Sequence, residues 1–521
     1  MNPVPFRSPE VVVTLPGRSA EALRQELARA HSAGADLVEI RVDRLPTSEV
    51  PRLTRLHEIP LRHEWLPAIL TVRSRAEGGE GPEDRGERRD LVLRALEALP
   101  FSYVDLELER DLGMQEELRS WDGPPLRFVV SAHLSAGTPG KLARATLDRA
   151  LARGDVGKVV LPASLSTAVD EIIPCLEGLS GRPWVLHTTG PSGALLRILA
   201  GRLGMHWVYA SLPMPGSLRE PVPSAGSVEP SQVPVDRLRR FFAGGDGAAW
   251  YAVLGRPIGH SLSPDLHQRF LEARKRPGIM IPLEPRDETE MVETLPKLTP
   301  WGLKGANVTR PYKECAARMA MEASEEVRRT RAANTLVPSP PHAFRAYNTD
   351  VGALRRIFRE LVAARRWKGD QLLVVGSGGA ARAALAAGIE EGSHVSFTAR
   401  RREAARELLA LFAPHPVGWM DPDSLTPSPL VVHATPVGRV EGEDLPFPLE
   451  KALGPGSVLL DLVYHPVTSV LKEMARRAGA SYLDGLRMLI YQAVESFRHF
   501  TGEDIPRAVV ENLLDEAGVA P

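Results

Sequence analysis

Several short apolar runs in the first half of the chain end in polar or charged residues. Helix-length segments separate these runs, as in a parallel α/β sheet, whose strands bring their carboxyl ends to one common face. Side chains at those ends can therefore converge on a ligand. They include acids, arginines, histidines and a lysine, namely Glu39, Arg41, Asp43, Arg73, Asp105, Glu107, His133, Lys158, His187 and Arg197. A set this polar predicts a binding site rather than a purely structural core.

Lys158 is one of only nine lysines among the 64 basic residues of the chain. An amine can lose its proton and act as a nucleophile near neutral pH, which a guanidinium cannot do. A lysine of ordinary pKa, about 10.4, is neutral roughly once in 2,500 at pH 7. We expect burial and the nearby Arg41, Arg73 and Arg197 to favour the neutral amine of Lys158.

A glycine-rich turn in the second half, GSGGAAR at 376–382, follows the apolar run QLLVV and precedes a helical pattern. Its backbone N–H groups could hold a pyrophosphate at the helix N-terminus. The next strand, HVSFTA at 394–399, ends in Arg400, Arg401 and Arg402, where NAD sites usually have an acid. These arginines suit the 2′-phosphate of NADP.

The composition favours small-molecule chemistry. The 64 basic and 65 acidic residues nearly cancel, so we expect neither a nucleic-acid nor a membrane partner. Two cysteines, Cys175 and Cys315, exclude a disulfide scaffold and a cysteine-only zinc site, and no metal is expected. We infer no membrane-spanning segment and no signal peptide, which with the cysteine count favours the cytoplasm. The oligomeric state stays open.

Eight candidate strands precede a small-residue linker, AGGDGAA at 243–249. Their spacing by helix-length segments predicts a (β/α)8 barrel. The candidate strands are 11–15, 37–42, 67–72, 103–108, 126–132, 156–161, 183–188 and 205–210. Beyond the linker we predict a mixed α/β segment, then a Rossmann-like NADP domain with further strands at 431–435 and 457–463, and closing helices near 486–500 and 506–517. The fold class is thus α/β, a barrel fused to a two-lobed dehydrogenase.

Eight motifs in order make residues 250–521 resemble shikimate dehydrogenases. They are GRPIGHSLSP (255–264), GANVTRPYKE (305–314), AANTL (332–336), YNTDVG (347–352), GSGGAAR (376–382), ATPVG (434–438), DLVYHP (461–466) and DGLRMLIYQA (484–493). The resemblance implies that Lys313 and Asp350 form a catalytic pair that moves a proton to or from the reacting oxygen, while NADPH delivers hydride.

The same resemblance implies the binding residues. For the substrate carboxylate and hydroxyls they are Ser261, Ser263, Asn307, Thr309, Asn334, Tyr464 and Gln492. For NADP they are Gly376, Ser377, Gly378, Gly379, Ala380, Thr398, Arg400, Arg401, Thr435 and Gly485. Ser263 and Thr309 match the shikimate type rather than the quinate type of this family. His433 stands where the family often has asparagine.

The segments LVEIRVD, ILTVRSRAEGGE, YVDLELE, VVSAHLSAGTP, VGKVVLP and GPSGALLR make residues 10–240 resemble type I 3-dehydroquinate dehydratases. The resemblance implies a Schiff base on Lys158 and a proton shuttle on His133, which Glu77 orients. Arg197 would bind the substrate carboxylate, and Glu39 and Arg73 the ring hydroxyls. Arg41 and Gln232 complete the implied substrate-binding set.

Departures from this pattern lie late in the barrel. The run after the seventh strand is HTTGPSG, and Val228 stands where a substrate-contacting serine is expected, one position after Ser227. The proline-rich segment 211–234 is expected to be a mobile loop. We expect His187 and His31 to be structural, and Asp105 and Glu107 to orient arginines.

The two resemblances meet in one pathway, because the ketone made by the barrel is the ketone that the reductase half would reduce. They predict a bifunctional enzyme that takes 3-dehydroquinate through 3-dehydroshikimate to shikimate. We expect a dehydratase domain at 1–243, a substrate-binding domain at 250–352 completed by 486–521, and an NADP domain at 353–485. Two alternatives stay open, a ligand-binding regulator and a class I aldolase fused to a reductase.

Overall fold

A computed structural model describes residues 6–58, 66–179, 181–213, 229, 231–339, 343–437, 448–464 and 469–519. The chain forms two compact units. Of the described residues, the first unit comprises 6–250, with the gaps just given, and 277–302, and the second comprises 251–276 and 303–519.

The strands, in chain order, are β1 Glu10–Leu15, β2 Leu37–Arg41, β3 Ala68–Thr71, β4 Tyr103–Glu107, β5 Arg127–His133, β6 Val156–Pro162, β7 Trp184–Thr189, β8 Trp207–Ser211, β9 Val233–Pro234, β10 Ala249–Leu254, β11 Gly278–Leu283, β12 Leu303–Val308, β13 Glu322–Ala323, β14 Thr335–Ser339, β15 Ala343–Tyr347, β16 Gln371–Val375, β17 His394–Thr398, β18 Val417–Trp419, β19 Leu430–His433, β20 Val458–Asp461 and β21 Ser481–Leu483.

The helices are α1 Ala20–Ser32, α2 Arg85–Ala98, α3 Leu112–Leu118, α4 Gly140–Leu151, α5 Ile173–Cys175, α6 Ala194–Leu203, α7 Val235–Ala243, α8 Ser263–Ala273, α9 Glu288–Leu298, α10 Lys313–Met319, α11 Glu325–Thr330, α12 Thr349–Ala363, α13 Gly379–Glu390, α14 Arg402–Leu411, α15 Ser469–Arg477, α16 Leu486–Thr501 and α17 Arg507–Glu516. Short 3₁₀ turns lie at Val42–Arg44, Val50–Glu58, Arg75–Glu77, Gly245–Gly247, Pro422–Ser424 and Leu449–Ala452, and a π-helical turn at Thr167–Ile172.

The first unit is built on a curled parallel sheet in the order β7-β6-β5-β4-β3-β2-β1-β8-β9. All eight strands predicted from the apolar runs are present, and the two-residue β9 extends the sheet beside β8. The strands are almost wholly buried, which explains why their sequences read as continuous apolar runs. Side-chain caps begin two of the helices, with Ser19 accepting the backbone N–H of Ala22 ahead of α1 and Asp84 that of Glu87 ahead of α2.

The sheet departs from a regular barrel between β7 and β8, where no strand ladder joins the two among the described residues. A side chain takes the place of a carbonyl at this seam, because the backbone N–H of Tyr209 donates to His187 Nε2 at 3.2 Å. Arg197 of α6 closes the seam from both sides, donating to the carbonyls of Thr188 at 2.9 Å and Tyr209 at 3.3 Å. Buried backbone groups need such partners.

The second unit contains two sheets. In the first, β10, β12, β14, β15 and β13 follow one another, with antiparallel pairs at β12/β14 and β14/β15. The other has six parallel strands in the order β18-β17-β16-β19-β20-β21, the doubly wound pattern predicted for the NADP domain. Its order reverses between β16 and β19, and the crevice beyond that switch point is the usual ligand position in such sheets. Helices α12 and α16 pack against each other beside the first of these sheets.

Candidate functional sites

The amine of Lys158 lies buried on the inner face of the curled sheet. Strand register places Lys158 of β6 beside Ser131 of β5, and His133, two residues further along β5, points to the same face. The amine donates to Asp105 Oδ2 at 3.0 Å and to Glu39 Oε1 at 3.3 Å. It also lies 4.1 Å from the centre of the Tyr209 ring. Lys158 itself lies on β6, and the three side chains around its amine come from β2, β4 and β8.

The pKa of Lys158 is raised above its ordinary value, which shows that the expectation of a neutral amine was wrong for the resting protein. Burial alone would lower this pKa, but the carboxylates of Asp105 and Glu39 outweigh burial, and Arg73 opposes them to a smaller extent. Burial would likewise raise the pKa of Asp105, yet Lys158 and Arg73 bring it to about 2. The resting lysine is therefore an ammonium ion, and it must lose a proton before it can attack a carbonyl.

Arg73 connects the lysine to the histidine. Its Nη2 donates to Asp105 Oδ2 at 2.9 Å, the same oxygen that Lys158 contacts. Its Nη1 lies 3.1 Å from Ser131 Oγ, 3.2 Å from Glu77 Oε2 and 2.7 Å from His133 Nδ1. The guanidinium is buried, and Asp105 and Glu77 hold its pKa above the usual range although burial acts to lower it.

Glu77 lies against His133, as the resemblance implied. Its Oε2 accepts the backbone N–H of His133 at 3.0 Å and stands 3.2 Å from the ring nitrogen Nδ1. Burial raises the pKa of Glu77 to about 7, with Arg73 opposing the rise and Glu107 adding to it. Burial and the positive charges of Arg73, Lys158 and Arg41 lower the pKa of His133 well below its ordinary value. The imidazole is therefore neutral at rest.

The remaining barrel residues of the predicted site occupy different positions. Arg41 forms a bidentate ion pair with Asp43, with Nε and Nη2 donating to the two carboxylate oxygens at 2.8 and 2.7 Å. Gln232 donates to Thr14 Oγ1 at 3.3 Å, and Thr14 in turn donates to Glu39 at 2.9 Å, which ties Gln232 to the lysine cluster.

Arg197 lies at the β7/β8 seam, where Nη1 and Nε donate to backbone carbonyls and Nη1 also to Ser231 Oγ at 3.1 Å. Its Nη2 donates to none of the residues that the structure describes. Burial lowers the pKa of Arg197 to about 10.

Two structural expectations can be compared with these contacts. Asp105 orients Arg73, as expected, but it also holds Lys158. Glu107 accepts the backbone N–H of Ser74 at 2.8 Å, and its other oxygen lies 3.9 Å from Nε of Arg110. His187 serves the seam, and His31 lies on α1. Ser227, Val228 and most of the proline-rich segment 211–234 lie outside the described residues.

The second unit brings Lys313 and Asp350 together at the amino ends of two helices. Lys313 opens α10, Asp350 lies in the first turn of α12, and Lys313 Nζ donates to Asp350 Oδ2 at 2.5 Å. Asn334, just before β14, donates to Asp350 Oδ1 at 2.9 Å and accepts the backbone N–H of Thr349 at 2.9 Å. The carboxylate is thereby fixed on both of its oxygens.

Lys313 and Asp350 line one cavity together with every substrate-binding residue predicted for the C-terminal half of the chain. Strand ends and helix starts place them around it: Ser261, Ser263, Asn307, Thr309, Asn334, Tyr464 and Gln492. Among them, Asn334 donates to Gln492 Oε1 at 3.4 Å, and Asn307 donates to Ser496 at 2.9 Å. The cavity has further lining residues that the sequence reasoning did not select, Arg256, His260, Arg310, Met488 and Leu489. All five lie inside motifs quoted above, and their place in those motifs was the signal that could have identified them.

A second cavity lies at the switch point of the parallel sheet. It is lined by the predicted residues Gly376, Ser377, Gly378, Gly379, Ala380, Thr398, Arg400, Arg401 and Thr435, together with Arg256 and Arg310. Gly485 lines the neighbouring substrate cavity instead, where Ala380 and Thr435 also lie. The two cavities therefore share part of their lining.

The second cavity fits a dinucleotide phosphate. Gly376 has φ +130°, and a Cβ there would stand 2.8 Å from the carbonyl oxygen of Ala434, so only glycine suits this turn. A Cβ on Gly378 would meet nothing within 4 Å, which leaves open space ahead of α13. Thr398 Oγ1 is buried with no partner among the described residues. Two arginines, and no acid, follow it at 400 and 401.

His433 belongs to a buried hydrogen-bonded chain that ends at the shared lining. Its Nδ1 lies 2.9 Å from Asp461 Oδ1 and its Nε2 lies 2.6 Å from Thr435 Oγ1. Tyr482 donates to the other Asp461 oxygen at 3.0 Å. His433 therefore fixes the hydroxyl of Thr435 rather than contacting either cavity itself.

Within the part of the chain that the structure describes, no cluster of three or more His, Cys, Asp or Glu side chains is arranged to hold a metal ion. The described helices include none that is both long enough and apolar enough to cross a membrane.

Comparisons with known proteins match three stretches of the chain to family models. Residues 11–243 match the family model for type I 3-dehydroquinase. Residues 253–336 match the shikimate dehydrogenase substrate binding domain, and residues 485–514 the shikimate 5′-dehydrogenase C-terminal domain. The matches fall on the two sides of the predicted linker.

Individual relatives agree with these matches. Shikimate dehydrogenase (NADP(+)) of Halobacterium salinarum is 37% identical over 265 residues, which cover 51% of this chain and 97% of the relative. A bifunctional 3-dehydroquinate dehydratase/shikimate dehydrogenase, chloroplastic, of Arabidopsis thaliana is 28% identical over 518 residues, covering 94% of this chain and 82% of the relative. The solved dehydroquinate dehydratase and shikimate dehydrogenase from S. pombe AroM is 25% identical and covers 98% of each chain, with a TM-score of 0.41.

Proposed function

Because the chain belongs to the shikimate dehydrogenase family and joins it to a type I 3-dehydroquinase domain, we propose that its two halves catalyse consecutive reactions with the residues described above. The chain is a bifunctional enzyme of the shikimate pathway, a 3-dehydroquinate dehydratase followed by a shikimate dehydrogenase. The proposed residue roles rest on two lysine–aspartate contacts, Lys158–Asp105 and Lys313–Asp350. Each contact lies among the polar side chains proposed for its reaction. We assign the domains to 1–243, 250–352 with 486–521, and 353–485.

In the dehydratase, Lys158 forms an imine with the ketone of 3-dehydroquinate and releases water. The ammonium first loses a proton, and the nearest acceptors are Asp105 and Glu39. The iminium acidifies the adjacent C–H, His133 takes that proton, and it returns a proton to the departing hydroxyl, which leaves as water. Hydrolysis of the imine then frees 3-dehydroshikimate and the lysine.

Charged groups around this centre bind the rest of the substrate. Arg197 suits the carboxylate because its Nη2 is not engaged by the described residues, although its other nitrogens support the seam. Glu39 and Arg73 suit ring hydroxyls, and Arg41 and Gln232 complete the set.

In the dehydrogenase, Lys313 supplies the proton that the substrate oxygen needs as the carbonyl becomes an alcohol. Asp350 holds the ammonium in place, and Asn334 holds Asp350. Ser261, Ser263, Asn307, Thr309, Tyr464 and Gln492 surround the ring and carboxylate from the same cavity.

NADPH supplies the hydride when it is bound. Gly376, Ser377, Gly378, Gly379 and Ala380 would hold the pyrophosphate at the start of α13, and Arg400 and Arg401 the 2′-phosphate, with Thr398 and Thr435 beside them. No acidic residue at the end of β17 competes with that phosphate.

The direct test is NADPH absorbance after the protein is mixed with NADPH and 3-dehydroquinate, with no intermediate added. We expect the absorbance to fall, because each half supplies what the next step needs. No change with 3-dehydroquinate, followed by a fall after 3-dehydroshikimate is added, would remove the dehydratase assignment. No change with either compound would favour a ligand-binding regulator.

Trapping with borohydride tests the covalent step. Wild-type protein should take up labelled substrate on Lys158, and Lys158→Ala should lose both the label and dehydration while it still reduces 3-dehydroshikimate. Lys141→Ala, which changes an exposed lysine of α4, is the matched control. Label at another residue in Lys158→Ala would contradict the role of Lys158, and retro-aldol fragments in place of a dehydrated ring would favour an aldolase.

A further inference from the structure

The ring nitrogen Nδ1 of His133 lies close to two other polar atoms, Nη1 of Arg73 and Oε2 of Glu77. Arg73 Nη1 is 2.7 Å from Nδ1, and each of these atoms is 3.2 Å from Glu77 Oε2. The shortest contact is therefore the one between the guanidinium and the imidazole. Its direction decides where the ring carries its proton.

A guanidinium can only donate hydrogen bonds, because it has five N–H groups and no lone pair available to accept one. Nδ1 of His133 must therefore accept from Arg73, and an accepting nitrogen carries no proton. A neutral imidazole has one proton, which then resides on Nε2. The doubly protonated ring is disfavoured as well, because it would place an N–H group of Nδ1 against the guanidinium.

Glu77 does not need the ring proton, because its Oε2 already accepts the backbone N–H of His133 at 3.0 Å. Arg73 Nη1 has two N–H groups. One of them serves Nδ1 at 2.7 Å, and the other can go to Glu77 Oε2 at 3.2 Å or to Ser131 Oγ at 3.1 Å. The Nη2 of Arg73 donates to Asp105.

We propose that Arg73 is a positioning residue that holds His133 in the Nε2–H tautomer in the free protein. In that tautomer Nε2 can give a proton but cannot take one. When Arg73 leaves Nδ1, the group that faces Nδ1 is the carboxylate of Glu77, which accepts from an N–H. The ring then carries its proton on Nδ1, loses the one on Nε2, and becomes a base at Nε2, with no net change in protons.

The catalytic consequence rests on the proposed dehydratase function. His133 is switched from acid to base only after the substrate engages Arg73 through a ring hydroxyl. Proton removal from the iminium is thereby delayed until the substrate is in place. The tautomer itself is a property of the free protein and is tested without substrate.

The experiment is ¹⁵N NMR of the full chain labelled in histidine, at pH 9, where Glu77 is ionised. His133→Gln identifies the two ring signals of His133 by their loss. In the wild-type protein we expect Nε2 to give the protonated signal and Nδ1 the unprotonated one. A protonated Nδ1 in the free wild-type protein would overturn the proposal, whether or not the protein is an active dehydratase.

Two variants separate the contact from the general charge of the site. Arg73→Met should move the proton to Nδ1. Arg41→Met removes another positive charge that acts on His133 but does not contact its ring, and it should leave the proton on Nε2. Unchanged signals in Arg73→Met, or a shifted proton in Arg41→Met, would each overturn the proposal. If Arg73→Met does not fold, the wild-type spectrum still decides.

Discussion

The carboxyl of Glu77 gives the first unit a pH dependence that can be measured. Burial raises its pKa from 4.5 to about 7, so the folded state favours the protonated form. The stabilisation is therefore complete below pH 4.5, declines between pH 4.5 and 7, and is absent above. At 1.36 kcal/mol for each pKa unit, this group removes about 3 kcal/mol as pH rises through that window.

Glu77→Gln should abolish this part of the pH dependence, since the amide does not ionise. The unfolding temperature of the variant relative to wild type should therefore be higher at pH 8 than at pH 5, as calorimetry can show. Glu83→Gln, an exposed carboxyl near the same turn, is the control. An equal difference at both pH values would show that Glu77 does not titrate in this range.

Arg400 should determine the choice of cofactor. A hydrogen bond to a charged group contributes about 1.5–3 kcal/mol, so Arg400→Asp should raise the KM for NADPH roughly 10- to 100-fold and leave the KM for NADH unchanged or lower. Arg402→Asp is the matched control, because Arg402, although expected from the sequence to face the phosphate with Arg400 and Arg401, does not line the cavity. Initial rates with both cofactors measure the effect, and an unchanged ratio of the two KM values would contradict it.

Sequence reasoning grouped Lys158 with Asp105, Arg73 and His133 but did not predict the direction in which its pKa is shifted. The two carboxylates that raise its pKa lie 119 and 53 residues away along the chain. The nearby arginines suggested a lowered pKa for Lys158, yet Asp105 accepts hydrogen bonds from both Arg73 and Lys158. Residue types predict which groups share a site, whereas the sign of a pKa shift depends on distances that only the folded strands provide.

At the scale of elements, the strands β1–β8 were predictable because they are buried on both faces and so read as apolar runs. The missing ladder between β7 and β8 was not predictable, because these strands have the same apolar character as their neighbours. What distinguishes the seam is that His187 accepts the backbone N–H of Tyr209 and Arg197 donates to the carbonyls on both sides. Side-chain contacts of this kind produce no periodic pattern of residue types in the sequence.

Strands β19 and β20 are joined by a buried contact whose loss should weaken the parallel sheet. His433→Leu removes one donor from the buried carboxylate of Asp461, so we expect a loss of about 1.5–3 kcal/mol in unfolding free energy. His433→Asn, which can still donate, should lose less. Calorimetry of both variants beside His394→Leu, an exposed change on β17 of the same sheet, measures the difference. Equal losses in all three would show that the contact contributes nothing specific.

At the scale of the whole molecule, the described residues of each candidate site lie within one unit. The described residues around Lys158 all belong to the first unit, and those around Lys313 all belong to the second. The two reactions should therefore be separable by mutation. Lys158→Ala should reduce added 3-dehydroshikimate but not consume 3-dehydroquinate, and Lys313→Ala should do the reverse.

Mixing these two variants should restore the full conversion, because the product of one chain can reach the other through solution. With 3-dehydroquinate and NADPH, absorbance should fall after a lag during which 3-dehydroshikimate accumulates. Each variant alone, at the same total concentration, provides the control. A mixture that stays inactive while each variant retains its own half-reaction would show that the intermediate does not pass through solution, and that the two steps require both functional sites on one chain.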